Sequence, residues 1–122
     1  MKEFKFEDRT RQIKIGDTTY SVCVSNYEFM QKAQAALGSL TEAQEKFEQN
    51  ANPENLMFAI KKFVNLMFGG AGDQKRDESE YDYLWNLSGH DVYGMLDLCM
   101  ELASFVKEGM EYKVEKYLQP SN

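Results

Sequence analysis

The amino-acid sequence predicts an α+β domain, mainly α: a short N-terminal antiparallel β-hairpin followed by a bundle of about four to five helices. Three observations carry this. Apolar residues alternate at period two up to residue 24, later segments repeat at helical period, and residues 52–70 combine a marked helix start, an apolar body and a marked stop. With 122 residues the chain has the length of one domain, residues 1–24 forming the β region and residues 25–118 the bundle.

In the β region Phe4 and Phe6, Ile13 and Ile15, then Tyr20, Val22 and Val24 hold the alternation, and Gly16-Asp17 is a hairpin turn signal. Residues 12–15 should pair with residues 18–24, leaving Lys5, Arg11 and Lys14 on the open face or edge, where charge discourages stray pairing. Ser25 and Glu28 have the spacing of a capping box. Behind it Phe29, Met30, Ala33, Ala36, Leu37, Leu40 and Phe47 keep to one side of a helix. Gly38-Ser39, with Thr41 and Gln44 as a competing cap, predicts either a kink there or two helices in sequence.

In residues 52–70, Asn52 suits the N-cap, Pro53 the first helical position and Glu54 the positive helix end. Its apolar residues cover an arc of roughly 200°, wider than the stripe of a one-sided surface helix, so this helix needs neighbours on both sides. Lys61, Lys62 and Asn65 form a polar wedge that contains Phe58, the aromatic the core does not claim. Gly69-Gly70 supplies a left-handed stop. Residues 69–79 read as a mobile loop, without the GxxxxGK[ST] spacing of a phosphate cradle. Tyr81, Tyr83, Leu84, Trp85 and Leu87 follow as a short aromatic helix ended by Ser88-Gly89, with Trp85 as a plug in the core or between helices. Asp91 caps the last helix, where Val92, Met95, Leu96, Cys99, Leu102, Ala103, Val106, Met110, Val114 and Tyr117 share one narrow stripe. Leu98, Phe105 and Tyr112, seven residues apart, lie off that stripe beside acidic Asp97, Glu101 and Glu108; with Phe58 they are the candidate protein-binding residues.

Composition narrows the function classes. A net charge of −6 disfavours duplex nucleic acid, whose binding relies on clustered Lys and Arg. The charge is uneven: the first fifteen residues carry five basic and three acidic side chains, a basic edge on an acidic body. No leader pattern and no apolar run near the roughly 20 residues that span a bilayer is present, so a soluble protein is expected. Cys23 and Cys99 sit in apolar periodic segments without CxxC spacing, reading as buried thiols of an intracellular protein. His90 is the sole histidine. A metal site from Cys23, His90 and Cys99 lacks paired-ligand spacing, and a His90–Cys99 hydrolase would need its thiol off the buried stripe. Neither a cofactor nor catalysis is expected.

The order of elements, with Arg11-Gln-Ile-Lys-Ile-Gly-Asp-Thr-Thr-Tyr20 in the hairpin, the run Phe63-Val-Asn-Leu-Met-Phe-Gly-Gly70, a polar loop, Tyr83-Leu-Trp85 and a long amphipathic helix, resembles the small tail assembly chaperones of long-tailed bacteriophages and prophages. The resemblance implies a cytoplasmic, non-catalytic factor of the bacterial host cell. It would bind the tape measure protein, the tail tube protein or both during tail morphogenesis and be left out of the mature virion; a homo-oligomer through the Leu98, Phe105 and Tyr112 line is the other use of that surface. Another small phage structural protein, a head–tail connector or tail completion factor, is the nearest alternative, and a small regulatory hydrolase using His90 and Cys99 is the alternative of a different class.

Overall fold

The computed structural model describes the backbone of residues 1–50 and 52–118 and the side chains of residues 1–50 and 52–108. Strand β1 (Thr10–Ile15) pairs antiparallel with β2 (Thr18–Cys23), Thr10 opposite Cys23 and Ile15 opposite Thr18. Between them Gly16 alone has positive φ, +61°, the backbone of a II′ turn whose twist matches that of the strands. Helices α1 (Tyr27–Asn50), α2 (Pro53–Phe68), α3 (Glu80–Leu87) and α4 (Val92–Leu118) follow. The chain is thus α+β and mainly α, as its patterning predicts.

The inward face of the hairpin holds Thr18, Tyr20 and Val22, all buried, with Ile13 and Ile15 packed beside them. Two expectations for this region need correction. Arg11 is opposite Val22 and shares the parity of Ile13 and Ile15, so it lies on the inward-facing side, where it reaches Glu108 of α4 at 2.6 Å. Phe4 and Phe6 precede β1 without joining the sheet; their exposed rings meet only edge to face, 5.0 Å apart.

Helix α1 runs unbroken through Gly38. Its cap is Asn26 rather than Ser25: the Asn26 Oδ1 accepts from Phe29 N at 2.9 Å and its carbonyl from Met30 N at 2.8 Å. Ser25 instead lies 3.8 Å from the Cys23 sulfur. Helix α2 starts and stops as its sequence dictates, with Asn52 Oδ1 accepting from Glu54 N, Pro53 at the first position, and Gly70 in the left-handed region after the last turn. Its wide apolar arc is covered by α1, α3, α4 and β2. Leu56, Ile60, Phe63, Val64 and Phe68 are completely buried, each contributing up to about 1.5–3 kcal/mol of transfer free energy. Tyr20 of β2 stacks on Phe68, centroids 3.9 Å apart, which fastens the hairpin to this central helix.

Residues 69–79, expected as a mobile loop, are tied to β2. The Ala71 carbonyl accepts from Ser21 N and the Asp73 N–H donates to the Thr19 carbonyl, both at 3.0 Å, bridging Tyr20 to Gly72 along the strand edge that β1 leaves open. Gly72 is required by close approach, because a Cβ there would meet the Thr18 methyl at 2.9 Å and the Tyr20 ring at 3.1 Å. Ser79 then caps α3 by accepting from Asp82 N, and Asp91 caps α4 by accepting from Tyr93 N.

Candidate interaction surface

The four candidate binding residues have different fates. Phe58 is exposed at 61%, the Lys62 ammonium lying 4.9 Å above its ring, so the side chain that the core left unclaimed is indeed at the surface. Leu98 and Phe105 are half-buried and packed against the core, not exposed as a free line. The Tyr112 side chain lies outside the described residues. The apolar residues that α4 does expose are Tyr93 and Met100, at 67% and 68%. They too are seven residues apart, but on a line roughly 140° around the helix from Leu98 and Phe105, in a stripe with exposed Asp97, Glu101, Ser104 and Lys107.

Met100 borders a shallow apolar groove of about 670 Å³ between α1 and α4, lined chiefly by Leu37, Gly38 and Thr41 on one side and Met100, Ala103 and Ser104 on the other. The groove follows from side-chain size. Gly38, Ala103 and Ser104 are too small to close the space between the two helices, and a Cβ built at Gly38 would meet nothing within 4 Å. In the sequence Gly38 carried a signal, but as a helix breaker; only the pairing of α1 with α4 turns its missing side chain into a depression.

A second cluster is polar. Arg76 donates to Asp17 Oδ1 at 2.7 Å and to the Thr18 hydroxyl, and its guanidinium lies flat on the Tyr83 ring, 3.5 Å from the centroid. The Tyr83 hydroxyl donates to the same Asp17 oxygen at 2.8 Å, and Tyr20 donates to Glu80 at 2.5 Å. Hydrogen bonds from Tyr83, Thr18 and Arg76 hold the Asp17 carboxyl down at about 2. Burial and the Glu80 carboxylate push the Tyr20 phenol well above its usual range. The Arg76 Nε–H is buried without a hydrogen-bond acceptor, 3.9 Å from Glu80, so ion pairing alone answers it. Apart from that Nε–H, the contacts of Arg76, Asp17, Thr18, Tyr83, Tyr20 and Glu80 run between members of the cluster, so it latches residues 69–79, the hairpin turn and α3 together.

His90 and Cys99 occupy unlike environments. His90 is exposed in a left-handed turn, φ 62°, its ring stacked on Trp85 at 5.0 Å and its Nε2 2.9 Å from Asn86 Oδ1. Trp85 in turn stacks on Tyr81, so the expected plug is the middle ring of a three-ring column. Cys99 is buried in the core, where desolvation pushes its thiol up to about 12. Cys23, expected to be buried, is exposed at the end of β2. Among the described residues no group of three or more His, Cys, Asp or Glu could hold a metal ion, and no helix is long and apolar enough to cross a membrane. Comparison with known proteins gives no matching family model, curated protein or solved structure.

Proposed function

We propose that this protein is a tail assembly chaperone of the long-tailed-phage type, which receives an apolar helix of the tape measure protein in the groove between α1 and α4 while tail tube subunits assemble. The observation that carries the reading is the groove itself: an apolar depression flanked by the exposed Met100 on a rigid two-helix frame, the arrangement used for helix-in-groove recognition. Lys107 lines the groove while Asp97 and Glu101 are exposed beside Met100 and Ser104 on α4, so its surroundings carry both signs of charge. The order of elements supports the same reading, through the resemblance drawn from the sequence. Several weak sites of this kind along one long client give avidity without tight binding at any one of them, which suits a factor that must leave.

Gly38→Trp tests it. An indole there projects into open groove space, and tryptophan is the better helix former, so the fold should persist. Co-expressed with the tape measure protein encoded beside it, the wild type should co-purify with that client and the variant should capture at least tenfold less. Equal capture by a folded Gly38→Trp protein would overturn the assignment of the groove.

A further inference from the structure

The two edges of the hairpin sheet differ. Along the outer edge of β2 the chain supplies its own short extended segment: the Ala71 carbonyl accepts from Ser21 N, Asp73 N donates to the Thr19 carbonyl, and the Asp73 carboxylate accepts from Thr19 N at 2.9 Å. The outer edge of β1 has no such cover. Register decides which of its groups are left over, because in an antiparallel pair alternate residues turn their main-chain groups toward the partner strand. The Arg9 carbonyl accepts from Val24 N, so Arg9, Arg11, Ile13 and Ile15 face β2. Gln12 and Lys14 face away from it, as Ser21 and Thr19 opposite them do on the other edge. Among the described residues no hydrogen bond outside the strand pair reaches the N–H and C=O groups of Gln12 and Lys14, and both residues are exposed. The next outward N–H, that of Thr10, is answered by the Asp8 carboxylate at 3.0 Å.

Two donors and two acceptors in line, repeating every second residue at roughly 3.4 Å per residue, match another extended main chain. The side chains select its chemistry. From Arg9 to Gly16 the chain carries Arg9, Arg11 and Lys14 and no acidic residue. Arg9 is paired to Glu7 and Arg11 to Glu108, whereas Lys14 makes no ion pair among the described residues. A second β1 laid antiparallel on the first would add the same cations and no carboxylate, and lysine on an edge opposes such pairing. An acidic strand answers Lys14 instead, and the outward N–H groups of Thr10 and Thr19 already accept aspartate carboxylates as partners. On the inward side of the same edge lie the half-buried Ile13 and Ile15.

We infer that the open edge of β1 binds an extended acidic segment of a partner protein by strand addition, its main chain pairing with Gln12 and Lys14, its acidic residues facing Lys14 and its apolar ones Ile13 and Ile15. The edge shares no residue with the α1–α4 groove, so Gly38→Trp should leave binding here unchanged. The probe is a short synthetic peptide of alternating Val and Glu, with one of alternating Val and Lys as its counterpart, each at millimolar concentration. Amide hydrogen exchange, read residue by residue by NMR, reports where it binds. The Glu peptide should slow exchange at Gln12 and Lys14 by about tenfold and leave Ile13, whose N–H faces β2, unchanged. The Lys peptide should protect them about threefold less or worse. Gln12→Pro removes one outward N–H without breaking the ladder to β2, so it should abolish protection at Lys14 in a protein that still melts cooperatively. Lys14→Glu, a surface change that leaves the main chain intact, should reverse the preference between the two peptides. No protection by either peptide, equal protection by both, or an unaltered preference in Lys14→Glu would each overturn the inference. Gln12 and Lys14 amides already protected without peptide, in a protein that sediments as a dimer, would overturn it in favour of a second copy of the chain.

Discussion

At the residue scale, Asp17 gathers three hydrogen bonds on one carboxylate oxygen. It accepts from Tyr83, Thr18 and Arg76 at one oxygen, yet remains largely exposed, so water screens what those contacts contribute. The sign of its pH effect follows from its carboxyl, held at about 2 in the folded chain against an ordinary value of 3.8. A depressed acid adds stability that is fully present above the unfolded value and is lost as pH falls through the folded one. Thermal melts of wild type and Asp17→Asn should therefore differ most above pH 4, with the wild type the more stable, and the gap should close between about pH 4 and pH 2. A gap that stays constant to pH 2 would show that the carboxylate's charge is not what the latch uses. The turn and the aromatic helix are each readable in the sequence, but this latch is not, because its partners are about sixty residues apart and nothing in local period links Asp17 to Arg76 and Tyr83.

At the element scale, legibility tracks whether an element is specified by side chains or by backbone. The hairpin and α2 were readable because alternation, Pro53, Asn52 and the glycine pair are side-chain signals with a local cause. Residues 71–73 extend the sheet edge chiefly through main-chain groups, with the Asp73 carboxylate also accepting from Thr19 N, and such pairing leaves no alternation to read. The start of α1 slipped by one residue because Ser25 and Asn26 are both good caps, and a capping box favours the first. Hydrogen-bond geometry favours the second, since Asn26 satisfies the Phe29 N–H. Asn26→Ala should therefore destabilise the domain by about 1 kcal/mol and Ser25→Ala by only a few tenths, read as the shift in urea midpoint at constant slope. The reverse order would restore Ser25 as the cap.

Across the whole molecule, α2 sits at the centre, covered by α1, α3, α4 and β2. The exposed heptad pair on α4 is not the expected one: Leu98 and Phe105 are half-buried against the core, while Tyr93 and Met100 face out. Sequence alone could not separate the two faces, because which side of α4 is covered depends on where β1 and α1 lie, and the Arg11–Glu108 and α1–α4 contacts are long-range. The difference is measurable. Aspartate at Leu98 and Phe105 together places charge against a packed interior, so it should cost several kcal/mol, lowering the melting temperature and helicity with any client capture lost as a consequence. Met100→Asp puts the same charge on a side chain 68% exposed, where surface substitutions usually stay within about 0.5 kcal/mol. It should melt like the wild type by circular dichroism, yet weaken capture of the proposed tape measure client severalfold, because the acidic side chain replaces the apolar wall of the groove. A Met100→Asp protein that captures the client normally, beside a Leu98→Asp, Phe105→Asp protein that stays folded and loses capture, would return the binding face to the line that periodicity first suggested.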